Sequence, residues 1–119
     1  MIHWSAIGSG LLALAVAIGA FGAHALRARL DDYATGIYER AVFYHFVHGL
    51  GILAIGIAID AHAVAPRGAN VAAALLVAGI VVFSGSLYAL ALSGNRKLGA
   101  ITPLGGLAFV AGWIVLAFA

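Results

Sequence analysis

The chain contains no cysteine. Disulfides, thiolate nucleophiles, iron–sulfur clusters and thiolate zinc sites are therefore excluded. Charge is almost as scarce. Asp, Glu, Lys and Arg make up 8% of the residues, whereas a soluble domain needs about 25% to cover its surface. The net charge is only +2, and no basic stripe with interleaved aromatics occurs, which argues against a nucleic-acid partner. No P-loop, dinucleotide fingerprint or zinc-protease motif is present. Gly8-Ser9-Gly10 lies inside an apolar run, where it cannot cradle phosphate. Phe83-Ser-Gly-Ser-Leu-Tyr88 lacks the strand that a nucleophile elbow requires. The chain therefore reads as not an enzyme, with no cofactor expected.

What is abundant is apolar length. Of the 119 residues, 65% are hydrophobic, and they gather into four stretches over 6–26, 41–59, 71–92 and 98–119. A bilayer core is crossed by about 20 apolar residues of helix. Each stretch meets that length, and none carries Lys, Arg, Asp or Glu in its interior. The expected fold is all-α: a polytopic membrane protein built as a four-transmembrane-helix bundle, one membrane domain over 1–119. Ala23-His24-Ala25 resembles a signal-peptide cleavage site. Nothing basic precedes the first run, however, and the run exceeds the usual h-region of about 7–15 residues, so it reads as a retained helix.

Arg27, Arg29, Arg40, Arg96 and Lys97 fall in the first and third links, and Arg67 stands alone on the other side. This asymmetry predicts both termini outside and the first and third links in the cytoplasm. Trp4 is expected in the outer aromatic belt. Asp31 and Asp32 predict the cap of a helix that starts near Tyr33 and runs through Glu39 into the second apolar stretch, interrupted only mildly by Gly36. Leu30, Tyr33 and Ile37 recur at helical spacing, so 30–40 reads as an amphipathic segment along the inner membrane surface.

The helices sort by side-chain size. In the first, Ile7, Leu11, Leu14, Ile18 and Phe21 form a bulky ridge. Gly8, Ala15, Gly19 and Gly22 make one small face, and Ala13, Ala17, Ala20 and His24 another. Gly49 and Gly56 do the same on the second helix, Gly79 on the third, and Gly105 and Gly112 on the fourth. Helices in lipid associate through such faces, because small residues let backbones approach closely. The first helix is thus expected to touch two neighbours.

Intramembrane polar residues are costly and mark candidate sites. At about 1.5 Å per residue, His24, Tyr44, His45, His48, Ser84, Ser86, Tyr88 and Thr102 all fall in the inner half. They imply either a hydrogen-bonded cluster or a pocket opening toward the cytoplasm. Pro103 is expected to loosen the fourth helix there. His45 and His48, at i and i+3, are weak metal candidates with His24 as a third ligand, since neutral imidazole suits zinc, copper or iron. No intramembrane carboxylate accompanies them, and no metal is assigned.

Five motifs occur in order: Gly19-Ala-Phe-Gly-Ala-His-Ala-Leu26, Tyr44 with His48, Phe83-Ser-Gly-Ser-Leu-Tyr88, Ile101-Thr-Pro-Leu-Gly-Gly106 and Gly112-Trp113. On these motifs the chain closely resembles, over essentially its whole length, the membrane-protein family called domain of unknown function 423, which includes transmembrane protein 256. His45 departs from the glutamine of the family pattern. The resemblance implies four membrane helices in the bacterial inner (plasma) membrane and favours His24, Tyr44, His48, Ser84, Ser86, Tyr88, Thr102 and Pro103 as the positions that matter. It implies no activity.

Taken together, the sequence predicts a non-enzymatic accessory, scaffold or lipid-interacting subunit. Its expected partners are membrane lipids and either further copies of the chain or a larger membrane complex. A small oligomeric carrier or channel is the first alternative, and histidine-based metal or haem binding the second.

Overall fold

A computed structural model describes residues 2–119 and contains no strand among them. Helix α1 spans Trp4–His24, and α2 spans Asp32–Asp60. The third crossing is α3 (Pro66–Gly79), a π-helical turn (Ile80–Ser84) and α4 (Gly85–Ser93) in unbroken succession. A short 3-10 helix, Arg96–Ala100, leads into α5, Thr102–Ala117. The result is four helical segments long and apolar enough to cross a membrane, making this a multi-pass membrane protein.

Local chemistry sets the element ends. The Asp31 carboxylate accepts the Ala34 N–H at 2.8 Å and starts α2, satisfying one of the free donors of a first turn. Pro66 opens α3 in the first turn, where its missing N–H is harmless. Gly94 ends α4 at φ 73°, donating its N–H to the Leu90 carbonyl. A side chain is disfavoured in that left-handed conformation. The Asn95 side chain then accepts from Lys97 N–H and begins the 3-10 helix.

From Asp32 the 30–40 segment forms the first turns of α2, a helix of 29 residues and about 43 Å, continuous with the second crossing as the sequence led one to expect. Tyr38 is buried against Gly22 and donates its hydroxyl to the Ile18 carbonyl at 2.5 Å. That contact holds these turns against α1. Pro103 lies in the first turn of α5, just after the 3-10 helix, where its missing N–H breaks no helical bond. The expectation of two neighbours for α1 is corrected: it packs almost wholly on α2, and Ala13, Ala17 and Ala20 are exposed.

The bundle is two hairpins laid side by side. In the first, α1 meets α2 so closely that a Cβ on Gly8 would lie 2.6 Å from the Leu53 amide nitrogen. A Cβ on Gly56 would collide with the Ser5 backbone, and one on Gly49 would press on Leu12. In the second hairpin the third crossing meets α5, with Gly79 under the Phe109 ring, Gly105 against the Phe83 backbone and Gly112 against Leu76. Ile52, Ile55, Ala72, Leu76 and Phe109 fill the core where the hairpins join.

Trp4 is not a belt residue. It is buried, and its indole N–H donates to the Asn70 side-chain oxygen at 2.6 Å, tying the start of α1 to α3. Trp4→Phe keeps the ring and removes the bond. The expected loss in a detergent unfolding titration is modest, about 0.6 kcal/mol. A loss several times larger would mean that the indole itself is wedged in place.

Candidate functional site

Two polar seams run through the bundle. The first lies between α2 and the third crossing. Ala41, Tyr44, His45 and His48 fall on one side of α2 at helical spacing. Opposite them, Ser84 and Tyr88 share a face of the third crossing, four residues apart. The Ser84 hydroxyl, fully buried, donates to the Ala41 carbonyl at 2.8 Å. His45 Nδ1 and the Tyr88 hydroxyl are 2.8 Å apart. Tyr88 also meets Tyr38 edge to face, with ring centroids 5.6 Å apart.

The second seam lies between α4 and α5. Ser86 points away from Ser84 because the two differ by two helical positions, about 200° of rotation. Its hydroxyl meets that of Thr102 at 2.5 Å and donates also toward the Phe83 carbonyl at 3.0 Å. The expected single cluster is therefore split between two helix contacts.

His24 belongs to neither seam. It is exposed at the end of α1, on the same face as Ala13, Ala17 and Ala20, which turns away from α2. Pro103, next to Thr102, is exposed as well. The metal alternative loses its third ligand with His24. Among the described residues no group of three His, Asp or Glu could hold a metal ion.

His48 sits in an aromatic stack that the sequence reading missed. Its Nδ1 hydrogen donates to the Tyr44 carbonyl of its own helix at 2.8 Å. Its ring lies on Phe109 with centroids 3.5 Å apart and planes 12° from parallel. Trp113 is 5.8 Å away and Tyr44 stacks alongside. Phe83 closes the group, 4.5 Å from Tyr44. The available signal was spacing: Tyr44 with His48 on α2 and Phe109 with Trp113 on α5 are both i, i+4 pairs.

Among the described residues one buried side-chain polar atom has no hydrogen-bond partner. His45 is 1% exposed, and its Nε2 makes no hydrogen bond. The Leu11 backbone of α1 lies beside the ring. An unsatisfied buried polar group costs about 1–3 kcal/mol.

Open space lies elsewhere. One cavity of about 390 Å³ lies between the end of α1 and the first turns of α2, with Arg27, Thr35 and Glu39 in its lining. A second, about 490 Å³, lies at the opposite end beside His3, Trp4, Asp60, His62 and Asn70. Neither is lined by His45, His48, Ser84, Ser86, Tyr88 or Thr102. The first and third links, with Arg27, Arg29, Arg96 and Lys97, lie at one end of the bundle, here called the basic end. There Arg96 stands over the Tyr33 ring at 4.3 Å, joining the 3-10 helix to the start of α2.

A family model described as "Protein of unknown function (DUF423)" matches residues 18–106. A UPF0382 membrane protein of Staphylococcus haemolyticus is 48% identical, over 87% of this chain and 82% of its own length. One from Staphylococcus epidermidis is 50% identical over 89% of this chain and 84% of its own. UPF0382 membrane protein YwdK of Bacillus subtilis is 42% identical over 89% and 85%. No solved structure matches.

Proposed function

Because the chain belongs to the DUF423 family and is a multi-pass protein of the bacterial plasma membrane, we propose that it is a non-enzymatic accessory or scaffold subunit that holds lipids and other membrane helices. The observation that carries this reading is where the polar side chains go. Ser84 bonds to the Ala41 carbonyl, His45 to Tyr88, Ser86 to Thr102, Trp4 to Asn70 and Tyr38 to the Ile18 carbonyl. Such bonds fasten helices together. They present no nucleophile, acid or base to a cavity. The outer helices supply the room for partners. Only 11% of the apolar span of α1 and 17% of that of α5 is buried, against 39% and 44% in the two central crossings. In this reading the basic end faces the cytoplasm and both termini lie outside.

Crosslinking in membranes followed by native mass spectrometry in mild detergent is the test. The expected result is a homo-oligomer, a co-purifying membrane protein or a firmly held lipid. A lone monomer that retains none of the three overturns the proposal.

A carrier or channel is the competing reading, and the unpartnered Nε2 of His45 favours it, since a polar guest would satisfy that atom. Proteoliposomes would then show solute flux that drops in His45→Leu and His48→Ala. Flux indifferent to both substitutions removes this alternative.

A further inference from the structure

The cavity at the basic end is framed by a tight turn of chain. After His24 the amides of Ala25 and Leu26 both fold back on the Phe21 carbonyl, at 2.8 and 3.3 Å. The amides of Arg29 and Leu30 then close on the Leu26 carbonyl. This compact turn sets Arg27 on one rim of the cavity, and Glu39, two turns into α2, lines it as well. Gly19, Gly22 and Val42 line the apolar part between the helices. The Tyr38 hydroxyl is already committed to the Ile18 carbonyl. The charged groups are not committed to each other. Arg27 and Glu39 line the same cavity, and no ion pair within 4.0 Å joins charged side chains among the described residues.

From this the geometry points to a binding site for a zwitterionic aminophospholipid, one bearing a phosphate and a primary ammonium, taken from the leaflet at the basic end. The site rests on the lipid-holding reading above and names its ligand. Two opposite charges facing one cavity unpaired match a headgroup that carries both. Arg27 suits the phosphate, because a guanidinium can present two parallel N–H donors. Glu39 suits the ammonium, and the Thr35 hydroxyl lies in the same lining. An anionic lipid with a neutral headgroup would satisfy Arg27 and leave Glu39 facing a like charge. The depth fits as well. The apolar run of α2 begins at Ala41, directly after Glu39 and Arg40, so Glu39 marks the edge of the hydrocarbon. The floor of Gly19, Gly22 and Val42 continues the α1–α2 contact below that edge, where an acyl chain lies. The volume of about 390 Å³ is within the range of small-molecule sites, roughly 300–1,000 Å³.

The full chain is placed in nanodiscs of equal parts phosphatidylethanolamine and phosphatidylglycerol, released into mild detergent, and weighed by native mass spectrometry. The expected result is one retained phosphatidylethanolamine per chain. Arg27→Gln and Glu39→Gln alter exposed side chains, so the fold survives, as circular dichroism would verify. Each is expected to weaken retention about tenfold, the loss of one charge-assisted hydrogen bond. Ala23→Trp, which fills the cavity from α1, is expected to abolish it. Soluble glycerophosphoethanolamine, which lacks acyl chains, is expected to leave the lipid bound. Displacement by an equal concentration of it would move recognition to the free headgroup and overturn the lipid assignment. Equal retention of both lipids by all variants overturns the site, as does preference for phosphatidylglycerol with only Arg27→Gln having an effect. The same spectra report oligomers and partners. If these persist while the lipid result fails, the site is wrong and the scaffold reading stands.

Discussion

Gly8→Ala, Gly56→Ala and Gly105→Ala each lower the stability of the bundle by about 1–3 kcal/mol, the usual cost of overpacking a filled contact, while Gly10→Ala does not lower it. The difference lies in what the new methyl group meets. At Gly8 it would lie 2.6 Å from the Leu53 nitrogen and 2.9 Å from its Cα. At Gly56 and Gly105 it would strike the backbones of Ser5 and Phe83. Backbone cannot rotate aside as a side chain can, so the helices themselves must separate. At Gly10 there is nothing within 4 Å, and alanine is the better helix former by about 1 kcal/mol. The glycine contacts should also outweigh the polar ones. Interhelical hydrogen bonds in membranes average about 0.6 kcal/mol and reach about 1.7, so Ser86→Ala or Thr102→Val should cost less than any of the three clashing alanines. Unfolding in mixed detergent micelles, followed by circular dichroism, ranks the set. If Gly10→Ala proved as damaging as Gly8→Ala, close approach would not be what the glycines serve.

The second large effect concerns the π-helical turn. There the Gly85 amide donates to the Ile80 carbonyl, five residues back, so the turn holds one residue more than a regular α-helix. Deleting Val81, whose side chain is 64% exposed, removes that residue and lets the third crossing continue as ordinary α-helix. Both halves then keep their faces, with Leu76 and Gly79 before the turn and Ser84, Ser86 and Tyr88 after it. The deletion variant is expected to fold and to run as wild type on size exclusion. Deleting Ala74, which is also exposed, has no such escape. If the wide turn persists, everything after residue 74 rotates by about 100°, and Ser84 loses Ala41. If the wide turn relaxes, the stretch from Leu75 to Ile80 still rotates. Leu76, fully buried, leaves the core, at a cost of about 2–5 kcal/mol for that side chain alone. Aggregation of the Ala74 deletion beside a soluble Val81 deletion is the expected pattern. Equal behaviour of the two would show that the register of the third crossing does not depend on the turn.

Much of the architecture was legible because it depends on composition and length. Four apolar stretches with charge confined to the links specify four crossings, and Asp31 announces the start of α2 by its chemistry. Azimuth was harder to read. Depth along each helix put His24 level with His45, yet level is not the same as facing. His24 shares its face with Ala13, Ala17 and Ala20, and the face that meets α2 is the one bearing Gly8, Ala15, Gly19 and Gly22. The two small faces were visible in the sequence, but which one would be occupied was not, since either could accept a helix. The π-helical turn had no local signal at all. Ile80-Val81-Val82-Phe83-Ser84 contains neither glycine nor proline. Tertiary contacts accompany the turn: Phe83 lies against Gly105 on α5 and Ser84 bonds to Ala41 on α2. The aromatic stack around His48 was missed for a related reason. Each i, i+4 pair could be seen on its own helix, but their meeting depends on how the two hairpins dock, which brings Phe109 of α5 onto His48 of α2.

The side-by-side arrangement of the two hairpins bears on how the protein comes into being. The ribosome delivers α1 and α2 first, and their contact through Gly8, Gly49 and Gly56 needs nothing from the remainder of the chain. That pair can close in the lipid while α3 is still being made. The bond from Ser84 to Ala41 and the approach of Tyr88 to His45 must wait for the second pair. Until then the His45 ring and the Ala41 carbonyl lack their partners from the third crossing. The polar seam is therefore the last joint to close, and the stage before it closes is when a chaperone or quality-control protease of the membrane would find the chain.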